Sequence, residues 1–469
     1  MKFTVKQVDF FERQVHLRLP FRFGVVTMTQ APQAFVRARI ALENGKEAEG
    51  GAAEMLAPKW FDKDPSLSNE QNFEQLRTAM RLARDAYLAG GENNAFGHSI
   101  EAYGPQLALG AVSGLNNLTA GFGPALLDRA LLDALCRALG MSFYEAIRKN
   151  IPGIAAPGWQ QDLAALDMNG FLFELRPAAI IAARHTVGMV DPITAADVKE
   201  KVNDGLPQTL QEVITRYGHR YFKLKVSGDV PADVERLAAI ASVLDSSEAA
   251  YQATLDGNEQ FGSADEVIEL WRKVRGDPRL KRLASSILFI EQPIKRGQAL
   301  VDDVSELAEM AKPVIIDESE DTLEAFPRAR RLGYTGVSSK TCKGFYKSIL
   351  NLARCAMWNR EVGTERYFMS GEDLTIQPGL ALQQDLALVS LLGITHVERN
   401  GHHYVNGMAD LPQGEQDAFL AAHPDLYEHS HGAVRVKITH GELAIGSLDC
   451  KGYASAAMPD WKSMKEMQS

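Results

Sequence analysis

Cysteine is scarce in this chain of 469 residues. Cys136, Cys342, Cys355 and Cys450 stand far apart, with no CxxC pair. That spacing argues against a disulfide framework or a cysteine zinc site and fits a reducing, cytoplasmic setting. A basic tract is also missing. The net charge is -10 and the isoelectric point is near 5.7, so neither nucleic acid nor an anionic membrane is expected as the main partner. A small anionic substrate is compatible with this balance, because a local site can oppose the global charge. Long hydrophobic runs are absent too. The most apolar short run, AAIIAA at 178–183, is far too short to span a bilayer. The opening stretch MKFTVKQVDFFERQVHL is charged throughout and has no apolar core, so no signal peptide is expected. What is present is ordinary for a globular protein: 45% hydrophobic and 23% charged residues, in a chain long enough for two or three domains.

The first part reads as α+β. FTVKQVDFF and AFVRARIAL are strand-like, and a glycine-rich turn, ENGKEAEGGAAE, follows the second. Two helical patterns come next, NEQNFEQLRTAMRLARDAYLAG and PALLDRALLDALCRALG. In the latter, Leu127, Leu131, Leu135 and Leu139 recur every four residues, and Gly140 suits a C-cap. Residues 150–177 read as a connecting excursion. From about 178 the rhythm changes to eight short strand-like runs separated by helical stretches: IIAARHTVGMV, YFKLKV, YQATLDGN, SILFIEQP, PVIIDESE, GVSSKTC, YFMSGED and GITHVE. Eight such units predict a (β/α)8-type barrel over 178–400, leaving 1–175 as an N-terminal α+β domain. The glycine- and histidine-rich segment 401–469 is expected to pack back on the N-terminal part.

Six of the runs end in a polar or charged group: Lys223/Lys225, Asp256, Glu291, Asp317/Glu318, Lys340 and Glu372/Asp373. The C-terminal ends of barrel strands gather on one face, so these residues would converge. Three of them, Asp256, Glu291 and Asp317, are carboxylates on successive strands and would repel one another without a cation between them. Oxygen ligands without histidine or cysteine favour Mg2+ or Mn2+ over zinc. Lys225 and Lys340 would flank that centre from opposite sides. Such an arrangement suits removal of the α-proton of a carboxylate through a metal-stabilised enediolate. A lysine base needs a lowered pKa, which the neighbouring Lys223 and the metal would supply. KxK alone more often marks a solvated edge strand, so the constellation carries the reading.

YFKLKV, LDGN, FIEQP, IIDES and SSKTCK, in this order, resemble the enolase superfamily, specifically the mandelate racemase/muconate lactonizing enzyme family. The resemblance covers 178–400 and extends more weakly to an N-terminal capping domain, where FRFGVVTMT and EMLAPKWF fall at the family's substrate-covering loops. It implies Lys225 and Lys340 as the bases with Lys223 beside the first, and Asp256, Glu291 and Asp317 as metal ligands. Asn258 and Glu318 become assisting groups, and Glu372 a carboxylate near the substrate, with Asp373 its close competitor. No histidine stands in YFMSGEDLT, where the mandelate racemase subgroup places one, so the two-lysine, muconate lactonizing-like subgroup fits better. The eighth run reads THVERNGHH, with His396 and Glu398 where dipeptide epimerases of the family carry Asp-x-Asp. A homo-oligomer is also implied.

Other residues have two readings. Asp256 in LDGN suits a turn cap, Glu291 a solvated strand end, and Lys343 a surface residue beyond Lys340. Trp60 and Phe61 would either cover a substrate or pack the capping domain. His396, His402, His403, His429 and His431 read as structural or surface groups. The expected activity is therefore an isomerase giving racemisation, epimerisation or cycloisomerisation of a small carboxylate. The alternatives are an acid dehydratase eliminating water on the same scaffold, a non-catalytic binding protein retaining the fold, or an unrelated barrel hydrolase with paired carboxylates, in which the lysines would have no role.

Overall fold

The computed structural model describes residues 1–23, 26–158, 160–374 and 376–467. Strands β1 (Phe3–Phe23), β2 (Val26–Leu42) and β3 (Glu47–Met55) form an antiparallel sheet, with Gly45 at φ 79° in the turn between β2 and β3. The first helix, Asn69–Ala89, begins at a capping box: Ser68 accepts from the Gln71 amide at 3.2 Å, and the Gln71 side chain accepts from the Ser68 amide at 2.7 Å. A second, Ala95–Val112, carries Pro105 within it, and a third, Phe122–Leu139, ends at Gly140 in the left-handed conformation, φ 70°. The leucine stripe of that third helix understates its burial, since Arg129 and Asp133 on its other faces are buried as well. β3 lies so close to it that a Cβ on Gly50 would come within 2.2 Å of the Ala134 backbone nitrogen. Glycine there is a condition for the sheet to dock.

The eight runs all become strands: β4 (Ile180–Val187), β5 (Tyr221–Lys225), β6 (Gln252–Asp256), β7 (Ile287–Glu291), β8 (Val314–Ile316), β9 (Gly336–Ser339), β10 (Phe368–Gly371) and β11 (His396–Arg399). Each pairs in parallel with the next, and β11 pairs back onto β4 from His396↔Ala182 to Arg399↔His185, closing the barrel. Their apolar residues face either the barrel interior or the surrounding helices, which is why the runs are short and nearly continuous in hydrophobicity. The fold is thus a closed eight-stranded α/β barrel with an α+β capping domain.

The remaining chain adds β12 (Tyr427–Ser430) and β13 (Ala433–Val436) as a hairpin, β14 (Glu442–Ala444) and β15 (Lys465–Glu466). β15 pairs with β1 of the capping sheet, whereas β14 pairs antiparallel with the first half of β4. The last segment therefore touches both sheets. All four cysteines are free. Among the described residues, no helix is long and apolar enough to cross a membrane.

Candidate active site

β5 brings both lysines of the KxK pair to one side, as strand alternation requires. Lys225 Nζ lies 2.6 Å from Asp256 Oδ2 at the end of the adjacent strand. Lys223 is deeper and almost wholly buried. Its ammonium sits among four carboxylates: Glu291 and Glu372 at 2.7 Å, Asp256 at 2.9 Å and Glu398 at 3.0 Å. Burial alone would lower its pKa, but those four charges outweigh it and hold the group well above the ordinary lysine value. Carboxylates, rather than the second ammonium, dominate its surroundings.

Across the centre, Lys340 Nζ lies 2.5 Å from Asp317 Oδ2. Burial would lower this lysine as well, but Asp317 overrides it and raises it. The Trp60 ring, contributed by the capping domain, covers the same ammonium at 4.4 Å from ring centroid to nitrogen, a cation–π contact. Lys343 is not a surface residue. It is buried, with Nζ 3.2 Å from Asp317 Oδ1, 2.8 Å from Ser338 Oγ and 2.7 Å from Glu320. The short helical turn Thr341–Lys343 that follows β9 directs it back inward.

The carboxylates differ in their partners. For Asp256 and Asp317, burial would raise the pKa, but the adjacent lysines prevail and hold both below the usual range. Asp256 also accepts from the Asn258 amide at 2.8 Å, so the turn role and the site role coincide. Glu291, between them on β7, is fully buried, and neither of its oxygens has a hydrogen bond although the Lys223 ammonium is near. Burial first, then repulsion from Asp256 and Glu372, pushes its pKa well up. Adjacent Asp317 and Glu318 part, as alternation along an extended chain requires. Glu318 turns to Asn258 Nδ2 at 3.2 Å and to Lys63 at 3.5 Å, and its other oxygen is buried without a partner.

Glu372 joins the cluster through Lys223, and its other oxygen pairs with Arg184 and Ser370. Asp373 turns away to cap the next segment, accepting from the amides of Ile376 at 2.9 Å and Asn400 at 2.5 Å. Burial lifts its pKa to about 6 despite Arg399 nearby. Above the charges lies a narrow cleft. Phe21, Met28, Ala57, Trp60 and Leu374 supply its apolar wall, and Lys223, Lys225, Asn258, Lys340, Asp373, Glu398 and Asn400 supply its polar floor. Both quoted loop segments thus contribute to the wall, although Gly24 and Val25 of the first lie outside the described residues.

Sequence reasoning did not single out Arg184, Thr186 or Lys63, and it named Glu398 without giving it a part. Arg184 is a lone charge inside the apolar run of β4, which was a usable signal of an inward ion pair with Glu372. Thr186 donates to Glu398 at 2.5 Å. Lys63 is spread over Glu259, Glu318 and the Asn258 carbonyl, and no motif marked it.

Asp256, Glu291 and Asp317 offer the all-oxygen, anionic donor set that suits a hard divalent cation. The buried Glu291 oxygens without hydrogen bonds, and the chelating strand ends on either side of them, fit such an ion. Here Lys223 bridges Asp256 and Glu291, at 2.9 and 2.7 Å, while Asp317 pairs with Lys340. Among the described residues, the one group of three or more potential ligand side chains drawn within 4.8 Å is His185, His219 and His402.

Residues 206–390 match the enolase C-terminal domain-like family. That match spans β5 to β10, the strands bearing all the lysines and all three candidate ligand carboxylates. No curated protein matches the chain. Among solved structures, the chain superposes on muconate lactonizing enzyme from Mucobacterium Smegmatis complexed with muconolactone at TM-score 0.63 and 17% identity, covering 100% of both chains. A dipeptide epimerase from Cytophaga hutchinsonii, complexed with Mg and D-Ala-L-Val, aligns at TM-score 0.60 and 14% identity over 100% of this chain and 99% of its own. An N-succinyl Arg/Lys racemase from Bacillus cereus aligns at 0.57 and 16% over 87% and 89%. At these identities the likeness is one of fold.

Proposed function

We propose that the protein is a divalent-metal-dependent isomerase of the two-lysine, muconate lactonizing-like kind, acting on a small carboxylate by removing its α-proton. The outcome is racemisation, epimerisation or cycloisomerisation. The observation that carries this reading is the placement of Lys225 and Lys340 on strands either side of Asp256, Glu291 and Asp317, each lysine paired to the carboxylate nearest it. The likeness in fold to a muconate lactonizing enzyme, a dipeptide epimerase and an N-succinyl Arg/Lys racemase supports the same class of chemistry.

Asp256, Glu291 and Asp317 would hold Mg2+, which when bound supplies Lewis-acid stabilisation for negative charge developing on the substrate carboxylate. Lys225, in its neutral form, takes the α-proton from one side. The Lys340 ammonium stands on the other side and returns a proton there, which inverts the centre. Lys223, held by four carboxylates, stays an ammonium and sets the potential of the floor. Glu372 and Glu398 fix Lys223, and Arg184 fixes Glu372, so these act through the lysine. Trp60, Phe21 and Met28 exclude water from the reacting carbon.

The test is incubation with Mg2+ and a pool of carboxylic acids in D2O, read by mass spectrometry for deuterium at the α-carbon. Mg2+-dependent uptake that Lys225→Ala abolishes for one enantiomer of the substrate supports the proposal. Uptake that survives intact for both enantiomers in a folded Lys225→Ala protein sinks it.

A further inference from the structure

The seam where the barrel closes carries a second cluster, which the proposed reaction does not use. β4 alternates its side chains: Arg184 and Thr186 turn inward to Glu372 and Glu398, so His185 between them faces out of the barrel. There it meets His219, just ahead of β5, and His402, just after β11. One ring nitrogen of each lies within 4.8 Å of the other two.

The rings are set as ligands are. His219 Nδ1 donates to the Ala183 carbonyl at 2.9 Å, which leaves Nε2 with the free lone pair, and that nitrogen is buried with no partner. Metal-bound histidines commonly have their second nitrogen held in this way by a backbone carbonyl. His185 Nδ1 and His402 Nε2 stand 3.3 Å apart. The two share a hydrogen bond here, and the same separation is roughly that of two nitrogens each about 2.0–2.1 Å from a tetrahedral zinc ion. Burial keeps all three rings neutral, the state that binds metal. The guanidiniums of Arg18 and Arg399 nearby are already paired, with Asp204 at 2.6 Å and Asp385 at 2.5 Å. His402 is the least buried of the three.

We propose that His185, His219 and His402 form a binding site for one divalent transition-metal ion of the zinc type, outside the barrel wall and separate from the carboxylate centre. An all-imidazole set selects such ions over Mg2+. The ion would tie β4, the lead into β5 and the segment after β11 together, bracing the strand pair that closes the barrel.

The test uses the full-length protein, stripped with a chelator and then held in excess Mg2+ to occupy the carboxylates, and titrated with Co2+ followed by Zn2+. One equivalent of Co2+ should give the intense visible absorption of a low-coordinate ion, and Zn2+ should bleach it while raising the melting temperature. His219→Gln and His402→Gln should lose the absorption and the shift; His429→Gln, at an exposed position, should keep both. Absence of the band in the wild-type protein overturns the proposal. So does an unchanged band in a variant that melts like the wild type in chelator. If His219→Gln does not fold, the more exposed His402→Gln decides.

Discussion

The barrel mouth and the interior of the capping domain both bury carboxylates, but they treat them in opposite ways. At the mouth, lysine ammoniums are interleaved with the acids, and Asp256, Asp317 and Glu398 are held below the usual carboxylate range despite burial. In the capping domain, burial pushes Asp128 and Glu54 up to about 7. Asp128 relies on the Tyr87 hydroxyl at 2.7 Å and the Ser99 hydroxyl at 2.8 Å, and Glu54 on Arg129 at 3.0 Å, the Thr341 hydroxyl at 3.2 Å and the Met55 amide at 3.3 Å, with burial and the Asp385 charge working against them. Neutral hydrogen bonds compensate a buried charge less well than an adjacent ammonium. Asp256 and Asp317 are each held by an adjacent ammonium, whereas Asp128, held by two hydroxyls, can take up a proton instead. Glu291, Glu318 and Asp373 are exceptions at the mouth, each pushed up by burial; Glu291 is an anion position supplied with neither hydrogen bond nor exclusive cation.

The contrast can be broken most forcefully at the lysines. Lys340→Ala should abolish racemisation of a chiral substrate by at least ~100-fold while exchange of one enantiomer with D2O persists through Lys225. Loss of exchange for both enantiomers in a folded variant would refute the division of labour between the two faces. Glu291→Gln should be next in effect. It should remove Mg2+ binding measured by calorimetry and leave the metal-free protein at least as thermally stable as the wild type, because it relieves repulsion from Asp256 and Glu372. A large fall in the metal-free melting temperature would show that Glu291 is a structural anion instead.

The capping-domain side is sharpened by pH. The folded-state pKa of Asp128 is raised from 3.8 to about 7, so its stabilising contribution is complete below about pH 4 and is lost as pH rises toward 7. Asp128→Asn mimics the protonated acid. It should flatten this part of the stability–pH curve and exceed the wild type above pH 7 by on the order of a few kcal/mol. Denaturant unfolding at pH 5 and pH 8 checks this, and an unchanged pH slope would contradict it. The smallest effect is expected at the cover. Trp60→Leu removes the ring over Lys340 but keeps apolar bulk, and should raise KM about 3- to 10-fold with a lesser change in kcat.

Much of this architecture was legible. The eight runs from IIAARHTVGMV to GITHVE coincide with β4 to β11 because a strand covered on both faces has to be apolar until its end, where chemistry begins. Lys225, Asp256, Glu291, Asp317 and Lys340 could be picked for that reason. Lys343 was misjudged because a tight turn after β9 reverses its direction, and tight turns are not written in hydrophobic periodicity. Asp373 and Glu372 could not be separated by pattern, since both follow the last strand residue, and the structure sends one to Lys223 and the other to backbone amides.

By itself, then, the sequence determined the order of elements, the closed barrel and the residue types standing at its mouth, because periodicity and strand-end chemistry are local properties of the chain. Only the tertiary structure decided which charges meet. Lys223 among four carboxylates, Trp60 over Lys340, and three histidines from positions 185, 219 and 402 at one seam all join residues remote along the chain. Their encounter, and the protonation state that follows from it, depends on burial and distance, which no single stretch of sequence contains.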